Sequence, residues 1–489
     1  MKTIKFTLIK NHFVVGLAVA CLMFIGCAGS SILKPYPSQM DTIKSCIVQN
    51  DLDKSYSDLS KKTDSPDKIL WLQERGHVAC FQNKYDESIA DFEEAIRISE
   101  EKRMQAIISA SDTAAQAASL LTNDNVIPYK GCAYERVFLH TFQAMNYLAQ
   151  GHLEDALVEV RAADEEQRFS LEEHDAEIHQ ATKNEEKYKI NRTEQEGRLA
   201  EAYAAMQIAA GKVENSFQNA FTFYLSGVIR EMGGGEEGEA FIDYQKAWKI
   251  YPENTYLIKD LLRRARSDNR AEDLERFSKL YKDIKPDELN NDQGRLVIIF
   301  EEDFVPPKRQ IKFPLVIKEK SYTIAMPYYD FEWTDPSPLR IYDGDQLLGE
   351  TETICLVKAL AVKDLKERYW GIFLRQLLRL VAKDQIQREI QKKTGGNSLA
   401  KIGMWAGDFI MTNADLRSWL TLPDNIQIAS FYLPQGEHNV GYVNGSGGKE
   451  NIDIEIKPGQ ITLLRIAKLQ ETYFVSLANQ ISQAQMAKK

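Results

Sequence analysis

A chain of 489 residues with 44% hydrophobic and 10% aromatic side chains is large enough for two or more domains with real cores. Its formal charge of −10 becomes −13 once Lys2, Lys5 and Lys10 leave with a cleaved leader, because residues 1–26 carry no acid. An acidic body argues against nucleic acid as a partner.

The chain starts basic, runs apolar from Phe13 to Ile25 and closes on Phe24-Ile25-Gly26-Cys27. This pattern predicts a secretory signal over 1–26 that ends in a lipobox. The apolar run falls short of the ~20 residues that a membrane span needs. Small Gly26 at the cut and Ala28-Gly29-Ser30-Ser31 after it fit lipoprotein processing. The mature chain then begins at a lipid-modified Cys27, held to a bacterial membrane by acyl chains such as palmitate. No aspartate follows the cysteine, so the expected place is the outer membrane, facing the periplasm. Residues 27–56 read as the tether. The compartment permits disulfides among Cys46, Cys80, Cys132 and Cys355, and buried unpaired thiols fit the sparse spacing equally well.

From 57 to 286 the pattern is helical, and its small and aromatic residues recur at tetratricopeptide offsets. Gly76, Tyr85, Phe92, Ala95 and Ile96 fall at positions 8, 17, 24, 27 and 28 of one unit. Ala144, Tyr147, Gly151, Ala156 and Ala163 match 8, 11, 15, 20 and 27 of a second, with Gly76 and Ala144 68 residues apart. A third carries Ala240, Tyr244, Ala247 and Pro252 at 20, 24, 27 and 32, after a Gly233-Gly234-Gly235 turn that is one residue too long. Small residues let helix backbones approach while aromatics fill the gaps beside them. Ser170 to Gly197 is crowded with charge and reads as an insertion, either a solvated helical projection or a partly disordered segment; His174 and His179 within it do not share a helical face and predict no metal site. The helices from Thr255 to Pro286 read as a cap.

A polar linker, 287–294, leads into a β-rich domain over 295–470. Its expected strands are Leu296–Phe300, Tyr322–Met326, Leu339–Tyr342, Ile426–Tyr432, His438–Val443, Asn451–Ile456 and Gln460–Ile466. A helical insertion over 364–412 interrupts them, with Arg368, Arg375, Arg379 and Arg388 expected on its solvated face and a second short helix after Gly395-Gly396-Asn397. Residues 471–489 read as a tail. The fold class is therefore α+β multidomain, a tetratricopeptide-like array followed by a β-sandwich-like domain with inserted helices.

Tyr129-Lys130-Gly131-Cys132-Ala133-Tyr134-Glu135-Arg136 and Ala144-Met145-Asn146-Tyr147-Leu148 resemble signatures of an uncharacterised family of bacterial outer-membrane lipoproteins with tetratricopeptide-like helices. Phe223 to Gly227, Glu301 to Lys308 and Ala414 to Pro423 are similar to its further motifs. The resemblance spans nearly the whole mature chain. It implies a cell-envelope location and a genomic association with lipoprotein activators of penicillin-binding proteins, and it implies no activity; no cofactor is expected.

Asp415, Arg417, Ser418, Trp419 and Thr421 gather acid, base and hydroxyl within one short string that ends at Pro423. A nucleophile needs a positioned base, and no histidine has an evident relation to Ser418. The string reads more simply as a structural clasp, with Asp415 against Arg417 and Trp419 filling a gap between helices and sheet. The expected function is a protein–protein interaction scaffold. The competing class is a cell-wall enzyme or ligand-binding protein with its site near Arg417 and Trp419.

Overall fold

The computed structural model describes residues 34–109, 127–188, 197, 200, 203–233, 237–286, 290–317, 320–394, 413–445 and 448–479. The leader, Cys27, the short helix expected after Gly395 and the last ten residues lie outside them. The chain is a mixed α/β protein, with helices in its N-terminal half and mixed sheets in its C-terminal half. Among the described residues, no helix is long and apolar enough to cross a membrane.

The helical half runs α1 (Tyr36–Val48), α2 (Leu52–Ser60), α3 (Lys68–Phe81), α4 (Tyr85–Ser109), α5 (Ala133–Ala149), α6 (Leu153–Tyr188), the short α7 (Gln207–Ala210), α8 (Ala220–Gly233), α9 (Glu237–Ile250), α10 (Thr255–Ser267) and α11 (Ala271–Leu280). One turn closes several of its hairpins. Asn83 and Gly151 both take a left-handed backbone, φ +56° and +76°. In the first, Asn83 N donates to Cys80 O at 3.0 Å and Lys84 N to Ala79 O at 2.9 Å. The same pair recurs 68 residues on, from Gly151 to Leu148 at 2.9 Å and from His152 to Tyr147 at 2.7 Å. Asn50 and Asn269 repeat it. Each is a Schellman cap, which suits the two residue types that enter the left-handed region at least cost.

Inside the hairpins, helices cross at glycine. A Cβ on Gly76 would stand 2.5 Å from the Phe92 ring, and one on Gly227 2.6 Å from the Tyr244 ring. Ala95, Ala144, Ala156, Ala240, Tyr244 and Ala247 are fully buried, whereas Tyr85 is half-buried. Gly227 was not among the expected crossing residues; the one-residue excess before Ala240 moves the close contact there.

β1 (Gln293–Phe304), β2 (Arg309–Ile317), β3 (Lys320–Tyr328), β4 (Leu339–Asp343), β5 (Gln346–Glu350), β6 (Glu352–Cys355), α12 (Val357–Thr394), β7 (Pro423–Pro434), β8 (Gly436–Asn444), β9 (Glu450–Ile456), β10 (Ile461–Leu469) and β11 (Thr472–Asn479) follow. A five-stranded sheet has the order β11-β10-β1-β7-β6, with β1 parallel to β10 and antiparallel to β7. A four-stranded sheet has the order β5-β4-β8-β9, and β2-β3 forms a hairpin. Leu296 to Phe300 are wholly buried, so β1 is covered on both faces and reads as an unbroken apolar run.

Several expected boundaries move. The segment expected as a tether contains α1, whose Tyr36, Met40, Ile43 and Ile47 join the core, so the folded body begins well before 57. The segment expected as a tail contains β11, paired along β10. The charged segment is helical as far as Tyr188 and mostly exposed, as a solvated helical projection would be, although Glu173 and Glu177 turn to Arg136 and Arg368. Of the arginines expected on the solvated face of α12, Arg388 lies outside the residues whose side chains are described, and Arg368, Arg375 and Arg379 do not mark such a face. Arg379 is buried, and Arg368 pairs with Glu177 and Asp364; burial that strips water from such cations is compensated by those carboxylates.

Candidate functional site

The string from Asp415 to Pro423 is a strap with neither helix nor strand before β7, turning at Leu420 to Leu422, and the helical half grips it by its backbone. Trp419 N donates to Glu135 Oε1 at 2.8 Å, Leu420 N to Glu74 Oε1 at 2.7 Å and Thr421 N to Glu74 Oε2 at 3.0 Å. Both glutamates are fully buried. Glu135 comes from the first turn of α5, where it also accepts from Cys132 N at 3.0 Å in a capping box and from the hydroxyls of Tyr129 and Tyr134. Glu74 comes from the middle of α3 and accepts the Tyr36 hydroxyl at 2.7 Å. Amides buried in a loop would cost ~1–3 kcal/mol each if unpaired, and these carboxylates satisfy them.

Trp419 is buried among Phe92, Phe142 and His77, with ring centroids 5.8, 5.9 and 5.7 Å away. Its Nε1 donates to Thr421 Oγ1 at 2.9 Å. Arg417 donates from Nε and Nη2 to Asp415 at 2.9 and 2.7 Å, and from Nη1 to Asp67 at 2.5 Å and Ile127 O at 2.9 Å. Burial pushes the Asp415 carboxyl up, but Arg417 more than offsets this and holds it below the usual range. Ser418 is buried, and its Oγ has no hydrogen-bond partner among the described residues. Pro423 opens β7.

His77 links this grip to the sheet. Arg465 donates to Glu301 at 2.7 and 2.8 Å and to His77 Nε2 at 3.0 Å, so Nε2 carries the lone pair and Nδ1 the proton, aimed at Thr421 Oγ1 3.3 Å away. Burial, with the Arg465 charge beside it, holds the His77 pKa well below its usual value, and the ring stays neutral. A second junction lies at Arg295 of β1. It donates to Ser430 at 2.9 Å, to Glu231 of α8 at 3.0 Å, to Tyr224 at 3.2 Å and to Asp260 of α10.

The two signatures read separately in the sequence, Tyr129–Arg136 and Ala414–Pro423, are thus the two sides of one contact. Glu74, His77, Asp67, Arg295 and Arg465 went unremarked. A signal for two of them was present: Glu74 and His77 break the apolar face of a helix in which Ile69, Leu70, Trp71, Leu72 and Val78 are all core. Together these contacts fill the inner side of the helices with the chain's own strap and sheet.

Burial pushes the Glu74 carboxyl up to about 7, although Thr421, two amides and Tyr36 all donate to it. A carboxyl raised above its unfolded value of about 4.5 keeps an extra proton in the folded state, so its contribution is present below that value and is lost as pH rises through about 7. The expected loss is on the order of 3 kcal/mol. Urea midpoints between pH 4.5 and 7.5 should therefore fall more steeply with pH in the wild type than in Glu74→Gln; equal slopes would contradict the assignment.

A half-open cavity of about 560 Å³ lies on the other side of Arg417. Tyr129 to Cys132, Lys308, Asp415 and residues of α12 line it, and Trp419 does not. Cys46, Cys80, Cys132 and Cys355 are buried free thiols, and burial raises the pKa of Cys80, Cys132 and Cys355. Comparison with known protein families and with curated proteins finds no match.

Proposed function

We propose that the chain is a bacterial outer-membrane lipoprotein, anchored through Cys27 and facing the periplasm, that acts as a protein–protein interaction scaffold in envelope assembly or maintenance. Its helical half is a tetratricopeptide-like array and its sheet half a sandwich-like domain. One observation carries the reading most: the helices hold a non-regular strap by its backbone amides, with a tryptophan as the anchor, which is the kind of surface that takes up a peptide segment. Here that grip is spent in cis. Partner recognition falls to the outer surface, where Val158, Leu171 and Ile178 of α6 are exposed apolar residues. The family resemblance makes peptidoglycan-synthesis lipoproteins the first partners to try. The segment around Arg417 is structural in this reading, and among the described residues no base is positioned on Ser418.

Two measurements test it. Wild-type protein should label with a palmitate analogue and fractionate with the outer membrane, while Cys27→Ser should appear in the soluble periplasm or as uncleaved precursor. Absence of label on the wild type contradicts the anchor. A photocrosslinking residue at Val158 or Leu171 should give a discrete protein adduct in living cells; the absence of any adduct contradicts the scaffold.

A further inference from the structure

Six cations and three carboxylates line the cavity beside Arg417, and their pairing is uneven. Arg417 is held by Asp67 and Asp415, Arg368 by Glu177 and Asp364, and Lys130 by Glu173 and Glu177. Lys102, Lys308 and Arg375 have no such partner among the described residues. Lys102 Nζ donates only to Tyr129 O at 3.1 Å and Lys308 Nζ only to Arg417 O at 3.0 Å, while Arg375 Nε is shielded from solvent with no hydrogen-bond partner. Lys308 is itself buried.

We propose that this cavity binds a phosphate ester, with Lys102, Lys308 and Arg375 as its anion contacts. Three cations with no carboxylate in ion-pair contact, facing one partly desolvated space, favour an anion that joins them. A phosphomonoester brings three acceptor oxygens, enough for two ammonium groups and a guanidinium. A single carboxylate offers two oxygens to three donor groups. Ile127, Leu365 and Ile372 supply an apolar wall for the ester's organic part, and about 560 Å³ is ample for a small ligand. Burial holds the Lys102 ammonium below its usual pKa, and Arg417 lowers it further, against the pull of Asp67. A bound dianion reverses that effect.

The three contacts come from α4, from the chain between β1 and β2, and from α12. A ligand there touches both halves of the molecule, so the site exists only when they are docked. The inference goes beyond the scaffold role and does not depend on it. The same phosphate chemistry has two sources, a phospholipid headgroup or a soluble phosphate ester.

The test is calorimetric titration of the full mature chain carrying Cys27→Ser, which removes its own acyl chains, with dihexanoyl phosphatidic acid and with glycerol 3-phosphate. At least one should bind with one-to-one stoichiometry. Lys102→Gln with Arg375→Gln should weaken that binding by about tenfold or more at an unchanged melting temperature, since two of the three charged donors are lost. Lys279→Gln, on an exposed side chain of α11, should leave it unchanged. Phosphatidic acid binding at least ten times tighter than glycerol 3-phosphate assigns the lipid; comparable or weaker binding assigns the soluble ester. Binding of neither probe, or wild-type affinity in the double variant, overturns the proposal.

Discussion

Trp419→Ala lowers stability by about 3 to 5 kcal/mol, the cost of emptying a large buried aromatic site. The indole is wholly buried, touches rings from α3, α4 and α5, and orients Thr421 through its Nε1. Its loss leaves a cavity where the sheet half meets three helices, so the surroundings cannot close over it without moving the strap. Arg417→Lys should cause a smaller loss, because an ammonium cannot reproduce a fork that serves Asp415 and Asp67 together. Both effects are read as shifts in the urea midpoint. Complementation of a deletion strain should follow folded protein in each variant. A null phenotype for Arg417→Lys at wild-type stability would mean that this segment works as a site and not as a clasp.

Arg295→Leu is expected to cost a comparable ~3–5 kcal/mol, by a different route. The guanidinium lies between Glu231 and Asp260, all three nearly free of solvent, with Arg263 on both carboxylates and Arg264 beside Glu231. Removing Arg295 leaves Asp260 with Arg263 as its one remaining ion-pair partner among the described residues. Burial raises the Glu231 carboxyl, yet Arg263 and Arg295 hold it down at about 2. A carboxyl depressed in this way stabilises the fold above its unfolded pKa and loses that contribution as pH falls toward 2. The gap between wild type and Arg295→Leu should therefore be widest near neutral pH and shrink below pH 4. Adding Asp260→Leu should recover part of the loss, because it removes a charge left without its partner. A single variant as stable as the wild type at pH 7 would show that the cluster contributes nothing.

What the sequence made legible was local. Helix crossings at Gly76, Ala144, Ala240 and Ala247 can be read from spacing, because a close backbone approach admits only small residues and repeats with the helices. Strands such as Leu296–Phe300 and Ile426–Tyr432 declare themselves by β-branched runs. β2 escaped because Pro314 and charged residues interrupt it, and β11 because an edge strand near the chain end needs only one covered face. The tether was drawn too long for a similar reason: α1 is opened by Pro35 and Pro37, which read as loop residues until they are seen at a helix start.

The candidate site was legible only in pieces. Asp415, Arg417 and Trp419 stand out as a string, and Tyr129 to Arg136 as another, but nothing in either spells their meeting. Trp419 N and Glu135 are 284 residues apart, and Arg417 and Asp67 350. Such pairs are fixed by how the halves dock, which no window of neighbouring residues contains. The misplaced arginines of α12 teach the same point. A charged side chain on an amphipathic helix is solvated only if no other element brings it a carboxylate, and α6 does.

The claim that the helical half grips the sheet half through one strap is tested most directly by hydrogen exchange at the amides of Trp419, Leu420 and Thr421. These amides belong to no helix and no strand ladder, and their acceptors are the buried carboxylates of Glu135 and Glu74. They should exchange as slowly as amides in the centre of α3 and β1, opening only when the two halves separate. Exchange at the rate of an exposed loop, in protein whose α3 and β1 amides remain protected, would contradict the clasp.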